Sequence, residues 1–362
     1  MNDRAVNRWP GRALAVALAL APAMAGAQNA VAADGGEQAI QARPGGPETT
    51  PRTSQEVAVS RGTRLVLNNN AGEVVVTSWD RDTVKVDAVH GPRESVDVQV
   101  ADQVVRIRSR AERGPTTLID FRITVPRWMA VNLSGSYLEA SIEGTSAEVT
   151  VETVHGNVRV VGGSGAVLAR TVMGTIVVDK ASGRIQATSV NEGITLTNVT
   201  GDVSAETTNG DVLVDQAQTA NLEVATVNGD VTFNGTIRDG GAYRLTSHSG
   251  DVRLGMGGAA NATVFIRTFQ GDFSSDLPIQ LPAGQSRDSG SKRFNFTLGT
   301  GSARVEVQSF NGDIHIARDR VRSKAEERAE RRRGRPAPPA PPAPPGRPNA
   351  APKPPPPPAP PA

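Results

Sequence analysis

Between residues 146 and 317, apolar side chains recur in two columns that keep step with each other. One column is Val158, Ile176, Ile194, Val212, Val231, Val252 and Phe273, at spacings of 18, 18, 18, 19, 21 and 21. The other lies nine residues earlier, at Val149, Val167, Ile185, Val203, Leu222, Tyr243 and Val264, with the same spacings. Two columns that lengthen together are two sides of one repeating coil. The pattern therefore predicts an all-β chain built as a parallel β-solenoid of 18–21 residues per coil. Each column position opens an apolar-x-apolar pair, as in Ile194 and Leu196 on one side and Ile185 and Ala187 on the other, and a period of two sets each pair on one face of a short strand. A half-repeat of nine argues for two sides. The hexapeptides of a three-sided helix are absent.

The polar positions between the columns are as regular. Thr207-Thr208-Asn209-Gly210-Asp211-Val212 is echoed at Thr226-Val227-Asn228-Gly229-Asp230-Val231, and Gly-Asp returns at 250–251, 271–272 and 312–313. A hydroxyl column runs Thr153, Thr171, Ser189, Thr207, Thr226, Ser247, Thr268 and Ser309. The next position is Val154, Val172, Val190, Thr208, Val227, His248, Phe269 and Phe310, and amides predominate after it, among them Asn209, Asn228 and Asn311. Stacked amides and hydroxyls are expected to bond from rung to rung. Gly210, Gly229, Gly250, Gly271 and Gly312 are expected to make the turns, with positive φ as the reason for glycine. Phe294 falls 21 residues after Phe273 and 20 before Ile314, so the column is read as continuing through it, with residues 275–291 a loop that replaces the opposite strand.

Outside the repeat the pattern changes. Residues 1–27 carry Arg4, Arg8 and Arg12, an apolar stretch from Ala13 to Ala25 and the small-x-small site Ala25-Gly26-Ala27, the marks of a secretory signal peptide. Residues 28–54, rich in Gly and Pro, read as a flexible lead-in. Residues 55–145 alternate like strands at irregular spacing, either as first coils or as a small antiparallel sheet; a cap is favoured, because an open first rung would present unpaired backbone groups. Residues 318–362 read as a basic and then Pro-rich disordered tail, with a short helix in the Arg-rich part. A polyproline II rod beyond it would reach roughly 80 Å at ~3.1 Å per residue.

Charge sharpens this division. Residues 28–317 hold 25 Lys or Arg against 32 Asp or Glu, whereas 318–335 hold nine against four. The net charge of +2 thus hides an acidic body with a basic tail. An exported acidic body argues against nucleic acid as partner. Arg328, Arg331, Arg332, Arg333 and Arg335 are the candidates for attachment to anionic envelope material. The absence of cysteine excludes disulfides, thiolate metal sites and N-terminal lipidation through cysteine. No apolar run of the mature chain is long enough to cross a membrane.

Candidate chemistry is sparse. Asp211, Asp230, Asp251 and Asp272, with Asp313 beyond, form the one column of like charges, which must splay, accept turn N–H bonds or hold cations. Calcium would suit such oxygen ligands, but the Gly-Gly-x-Gly-x-Asp motif of calcium-binding β-rolls is missing, so turn chemistry is the preferred reading. A sugar-cleaving β-helix would need two carboxylates across a cleft. The coils offer one Asp per rung, the histidines 90, 155, 248 and 315 are scattered, and Trp79 and Trp128 make no stacking platform. No cofactor motif is present.

In its irregular strands, then Ile123-Thr124-Val125-Pro126, then serial Asn-Gly-Asp-Val turns, the chain resembles a bacterial β-strand-repeat family of unknown function whose members are labelled putative adhesins. The resemblance covers residues 56–316. It implies an exported or envelope-linked protein, in some members associated with envelope-stress responses, and carries over no functional residues. The expectation is a noncatalytic exported solenoid in the periplasm, at the cell surface or outside the cell, binding an envelope polymer or protein. The alternatives are an accessory protein of envelope-stress signalling and, from a different class, a carbohydrate-active enzyme.

Overall fold

The computed structural model describes residues 52–333 apart from 113, 115–117, 259, 278, 280–286 and 289–290. The expected signal peptide 1–27, all but the end of the lead-in, Arg335 and the Pro-rich stretch 336–362 lie outside the described residues. The described residues belong to the unit Thr49–Ala362 and comprise strands throughout, with one helix, Lys324–Arg333.

The strands hydrogen-bond into one mixed sheet that runs as two ladders. In the first ladder Val158–Val161, Ile176–Asp179, Ile194–Thr197 and the start of Val212–Asn228 lie parallel, with Val158, Ile176, Ile194 and Val212 abreast. In the second, Val149–His155, Ser164–Arg170, Ser182–Thr188, Thr200–Asn209 and the end of Val212–Asn228 set Val149, Val167, Ile185, Val203 and Leu222 abreast. Both columns read from the sequence are therefore columns of directly paired residues. Ala130–Glu143 and Val212–Asn228 each pass through both ladders and join them. The inward residues of both ladders form one buried cluster from Leu65 to Ile316.

Residues 55–145 continue the ladders rather than forming a separate sheet. Arg64–Asn68 and Ala71–Trp79 lie parallel on Ala130–Glu143, and Val104–Ala111 and Asp120–Pro126 lie parallel on them. Only the outermost strands turn antiparallel: Thr83–Val89 on Asp120–Pro126, Arg52–Ala58 on Thr83–Val89, and Glu94–Ala101 on Val104–Ala111. The expected cap is thus two reversed strands, Thr83–Val89 and Glu94–Ala101, laid on parallel rungs, with Arg52–Ala58 added beyond the first of them.

At the other end the chain order breaks. Ala303–Ser309 inserts between Ala242–Ser249 and Ala262–Thr268, and Ile314–Ala317 between Val252–Gly255 and Phe273–Ser275. Ile314 therefore follows Val252 in the column, and Phe273 comes last. Phe294 is not in that column: it lies on Ser291–Leu298, antiparallel to Ala262–Thr268 and opposite Ile266 in the second ladder. Spacing alone cannot separate a coil that continues from a chain that doubles back over the same length. Of the expected loop 275–291, Ser275 ends a strand and Arg287–Asp288 pairs with residues 291–292 as a hairpin. The reversal leaves strands of three and two residues at this end, Phe273–Ser275 and Arg287–Asp288, and short edges template little further pairing.

The turns show why glycine recurs. Gly210 has the expected positive φ, at 157°, but Gly229, Gly250, Gly271 and Gly312 do not, so for these four the expected conformational reason is incorrect. Steric room is the reason. A Cβ on Gly229 would overlap the Gly210 carbonyl, one on Gly250 the Gly229 carbonyl, one on Gly312 the Gly250 carbonyl and one on Gly271 the Gly312 carbonyl. The hydroxyl column serves the same backbone. Thr226 Oγ1 donates to the Gly210 carbonyl at 3.0 Å, Ser247 Oγ to Gly229 at 2.9 Å and Ser309 Oγ to Gly250 at 3.0 Å. Hydroxyls thus bond carbonyls across rungs rather than one another. The amides do bond side chain to side chain, Asn228 Nδ2 to Asn209 Oδ1 at 2.8 Å and Asn209 Nδ2 to Asn191 Oδ1 at 3.3 Å.

Two substitutions test these assignments. Ile194 is buried and Thr195 faces outward, so Ile194→Asp should cost about 4 kcal/mol or more and melt the array, whereas Thr195→Asp should stay within about 1 kcal/mol. Equal melting temperatures for the two would refute the register. Gly229→Ala should cost about 2 kcal/mol or more in urea unfolding, because its obstacle is backbone that cannot swing aside. A neutral Gly229→Ala would remove the steric account.

Candidate interaction surface

Each rung buries its hydroxyl, and strand alternation then turns the next residue outward. That position carries Val154, Val172, Val227, Phe269 and Phe310, each 37–44% exposed, and Tyr137 and Met173 stand beside it at 60% and 48%. In spatial order the corner runs Val154, Val172, Val190, Thr208, Val227, His248, Phe310, Phe269, eight rungs or about 34 Å at ~4.8 Å each. Aromatic rings stack along it. Phe310 lies 4.7 Å from Phe269 and 4.8 Å from His248, with planes within 10°, and Tyr137 lies 4.7 Å from His155. Rings stacked in this way cover one another's faces and offer mostly edges, so this is an apolar seam and not a flat sugar platform.

Of the histidines that the sequence scatters, His155 and His248 lie along this seam, each stacked on an aromatic ring. The Phe269–Phe310 pair was hidden, because the two are neighbours only through the out-of-order insertion. The outward alternation after the hydroxyl column was the signal that could have found the seam.

The aspartate column lies two residues beyond the amides' turn position and is internally satisfied. Asp230 N–H donates to Asp211 Oδ1 at 2.8 Å, Asp251 N–H to Asp230 Oδ1 at 2.8 Å, Asp313 N–H to Asp251 Oδ1 at 2.9 Å and Asp272 N–H to Asp313 Oδ1 at 2.8 Å. These bonds cross rungs, whereas the expectation was local turn chemistry. The compensating cation comes from the chain itself. Lys324 Nζ sits 3.1 Å from Asp230 Oδ1 and 3.0 Å from Asp251 Oδ2, and Lys292 pairs with Asp272. Among the described residues, no group of three or more His, Cys, Asp or Glu is placed to hold a metal ion.

Lys324 belongs to residues 318–333, which pack onto the ladders rather than trailing free. Arg320 Nη2 lies 3.0 Å from Asp215 Oδ2 and 2.6 Å from Glu326 Oε1. Asn234, buried, holds Val321 on both sides, accepting its N–H at 2.8 Å and donating to its carbonyl at 3.0 Å. Ser323 and Glu326 close a capping box at the helix start, Glu326 N–H to Ser323 Oγ at 3.2 Å and Ser323 N–H to Glu326 Oε2 at 2.9 Å. Of the attachment candidates, Arg328 and Arg331 are exposed on this helix, Arg332 and Arg333 lie within it, and Arg335 is beyond the described residues.

Electrostatics make this strap pH-dependent. Burial pushes the Asp251 carboxyl up, but the hydrogen bonds from Lys324 and the Asp313 N–H outweigh it and hold the group below 3.8. Burial likewise pushes Lys324 down, and its bonds to Asp251 and Asp230 outweigh that, holding it above 10.5. The Asp251 contribution is full above 3.8 and lost as pH falls through the lower folded value. The Lys324 contribution is full below 10.5 and lost as pH climbs through the higher one. Lys324→Met should therefore lower the melting temperature at pH 7, by the equivalent of about 1–3 kcal/mol, with the deficit closing at both extremes. A deficit unchanged at pH 2.5 would contradict the ion-pair assignment.

The sequence signature of the Toastrack DUF4097 family matches residues 62–317. Among solved structures the chain is similar to a putative adhesin from Parabacteroides merdae ATCC 43184, at 9% identity over 76% of this chain and 98% of that one, TM-score 0.37. It is also similar to a putative adhesin from Bacteroides fragilis NCTC 9343, at 11% identity over 74% and 98%, TM-score 0.32. A third is a putative lipid binding protein from Parabacteroides distasonis ATCC 8503, at 10% identity over 74% and 97%, TM-score 0.36. No curated protein matches the chain. The family signature spans both ladders from the first parallel rung to Ala317 and takes in well over half of the chain, and on that ground the protein belongs to the Toastrack DUF4097 family.

Proposed function

We propose that the two ladders wind as one β-solenoid whose Asn-Gly-Asp-Val turns are its repeat unit, and that the protein is a noncatalytic, exported scaffold presenting a binding surface at the bacterial cell envelope. The observation that carries the reading is the corner seam. It is apolar and aromatic, it repeats on a rigid backbone, and it stays exposed where soluble surfaces ordinarily bury such side chains. A noncatalytic role is supported by the turn aspartates, whose carboxylates are taken up by backbone N–H groups and by Lys324 and Lys292. Export rests on residues 1–27, and no helix among the described residues is long and apolar enough to cross a membrane. The partner is an envelope polymer or protein engaging the seam, with Arg328, Arg331 and the arginines after them as an auxiliary contact to anionic material.

Cosedimentation of residues 28–362 with envelope fractions, at low and high salt, tests this reading. The protein should pellet with the envelope and resist salt, residues 28–333 should do the same, and Phe269→Ser with Phe310→Ser should release it at unchanged melting temperature. Failure of the native protein to pellet would remove the adhesion reading. Binding that vanished with salt and survived the double substitution would transfer it to the basic helix.

A further inference from the structure

The outer face of the second ladder carries a different feature near its C-terminal end. Ala242–Ser249, Ala303–Ser309, Ala262–Thr268 and Ser291–Leu298 lie side by side, and their registers set outward side chains in rows. One row is Arg244, Glu306, Phe265 and Asn295, and the next is Thr246, Gln308, Arg267 and Arg293. A groove of about 410 Å³ opens over them, lined by Phe265, Arg267, Arg293, Arg304, Glu306 and Gln308. Glu306 serves two cations: Arg244 Nη2 lies 3.1 Å from its Oε2, and Arg304 Nε lies 2.6 Å from its Oε1. The Arg304 guanidinium also lies 4.6 Å from the centre of the Phe265 ring.

Arg267 and Arg293 stand directly opposite each other across the antiparallel pair, and no acid among the described residues lies within ion-pair distance of either. Like charges placed opposite weaken a strand pair. Basic composition does not explain the arrangement, since residues 28–317 hold more acids than bases. Two unneutralised guanidinium forks beside an apolar floor match an anion that accepts several hydrogen bonds at once, and guanidinium groups bind phosphate oxygens in pairs.

We propose that this groove binds a phosphate ester, with the phosphate held between Arg267 and Arg293 and the carbon portion against Phe265. The site borders the aromatic end of the corner seam, Arg267 and Gln308 lying two residues before Phe269 and Phe310, but does not depend on the seam. Titration calorimetry of residues 28–362 with inorganic phosphate and glycerol 3-phosphate, against chloride at equal ionic strength, reads the soluble ester. Flotation with vesicles of phosphatidic acid in phosphatidylcholine, against phosphatidylcholine alone, reads a lipid headgroup.

The comparison protein is Arg267→Gln with Arg293→Gln. It should lose about tenfold or more in affinity for whichever probe binds. Its melting temperature in chloride should stay level or rise, because the substitution removes a repulsion, and unfolding then cannot account for the loss. Binding of glycerol 3-phosphate without vesicle flotation assigns a soluble phosphate ester, and flotation assigns a lipid; either supports the site. No binding to any probe, or equal binding by the double variant, overturns it.

Discussion

The distance between stacked turns constrains everything else in this protein. Parallel rungs lie roughly 4.8 Å apart, and where Gly229 passes over Gly210, or Gly250 over Gly229, the backbones come so close that no Cβ fits. Such contact leaves the turn carbonyls half-buried, and buried carbonyls without donors cost about 1–3 kcal/mol each. The hydroxyl column supplies those donors from Thr226, Ser247 and Ser309. The aspartates complete the arrangement by accepting the next rung's N–H. Glycine, hydroxyl and aspartate are thus three answers to one steric condition; the hydroxyl recurs on every rung of the column, whereas earlier rungs carry Asn157 and Thr175 in place of the aspartate and Glu192 in place of a glycine.

A stack built this way has ends, and the ends follow another logic. Parallel rungs expose backbone groups at both extremes, and the chain covers them by reversing direction. Thr83–Val89 and Glu94–Ala101 do so at one end, with Arg52–Ala58 laid on the former, and Ser291–Leu298 does so at the other. At the C-terminal end the reversal has a topological consequence: the chain first lays down the outer rung at 262–275 and then returns to fill the gap with 303–317. That return stacks Phe310 between His248 and Phe269 and so makes the aromatic end of the corner seam.

The middle of the fold was legible because burial and stacking act on every rung alike. Val158, Ile176, Ile194 and Val212 are both a sequence column and a ladder of paired residues. The ends were not legible, since one strand pointing the other way keeps the same alternation and nearly the same spacing, as Phe294 shows. The strap was misread for a related reason. Residues 318–333 look solvated by composition, and what seats them is specific: Asn234 on the Val321 backbone, Arg320 on Asp215, and Lys324 on two aspartates of adjacent rungs. None of these pairs has a short sequence separation or a periodic signature. The candidate surfaces fell between the two cases, the seam readable from alternation and the arginine groove not, because it depends on the reversed strand.

Charge follows from the same geometry. A stacked column repeats one residue type, so a turn that needs aspartate for its neighbour's N–H acquires a row of like charges about one rung apart, which repel by about 1 kcal/mol per pair even in water. The repeat cannot alternate the sign without losing the acceptor. Opposite charge must come from segments that do not repeat, and Lys324, Arg320 and Lys292 all do. An acidic stack with basic non-repeating ends is the expected result, and residues 28–317 and 318–335 divide in that way. Arg267 and Arg293 depart from the rule: they are cations brought together on the ladder face with no acid among the described residues within ion-pair distance. The surrounding stack gains nothing from their juxtaposition, so the physical reason for it lies in what approaches from outside.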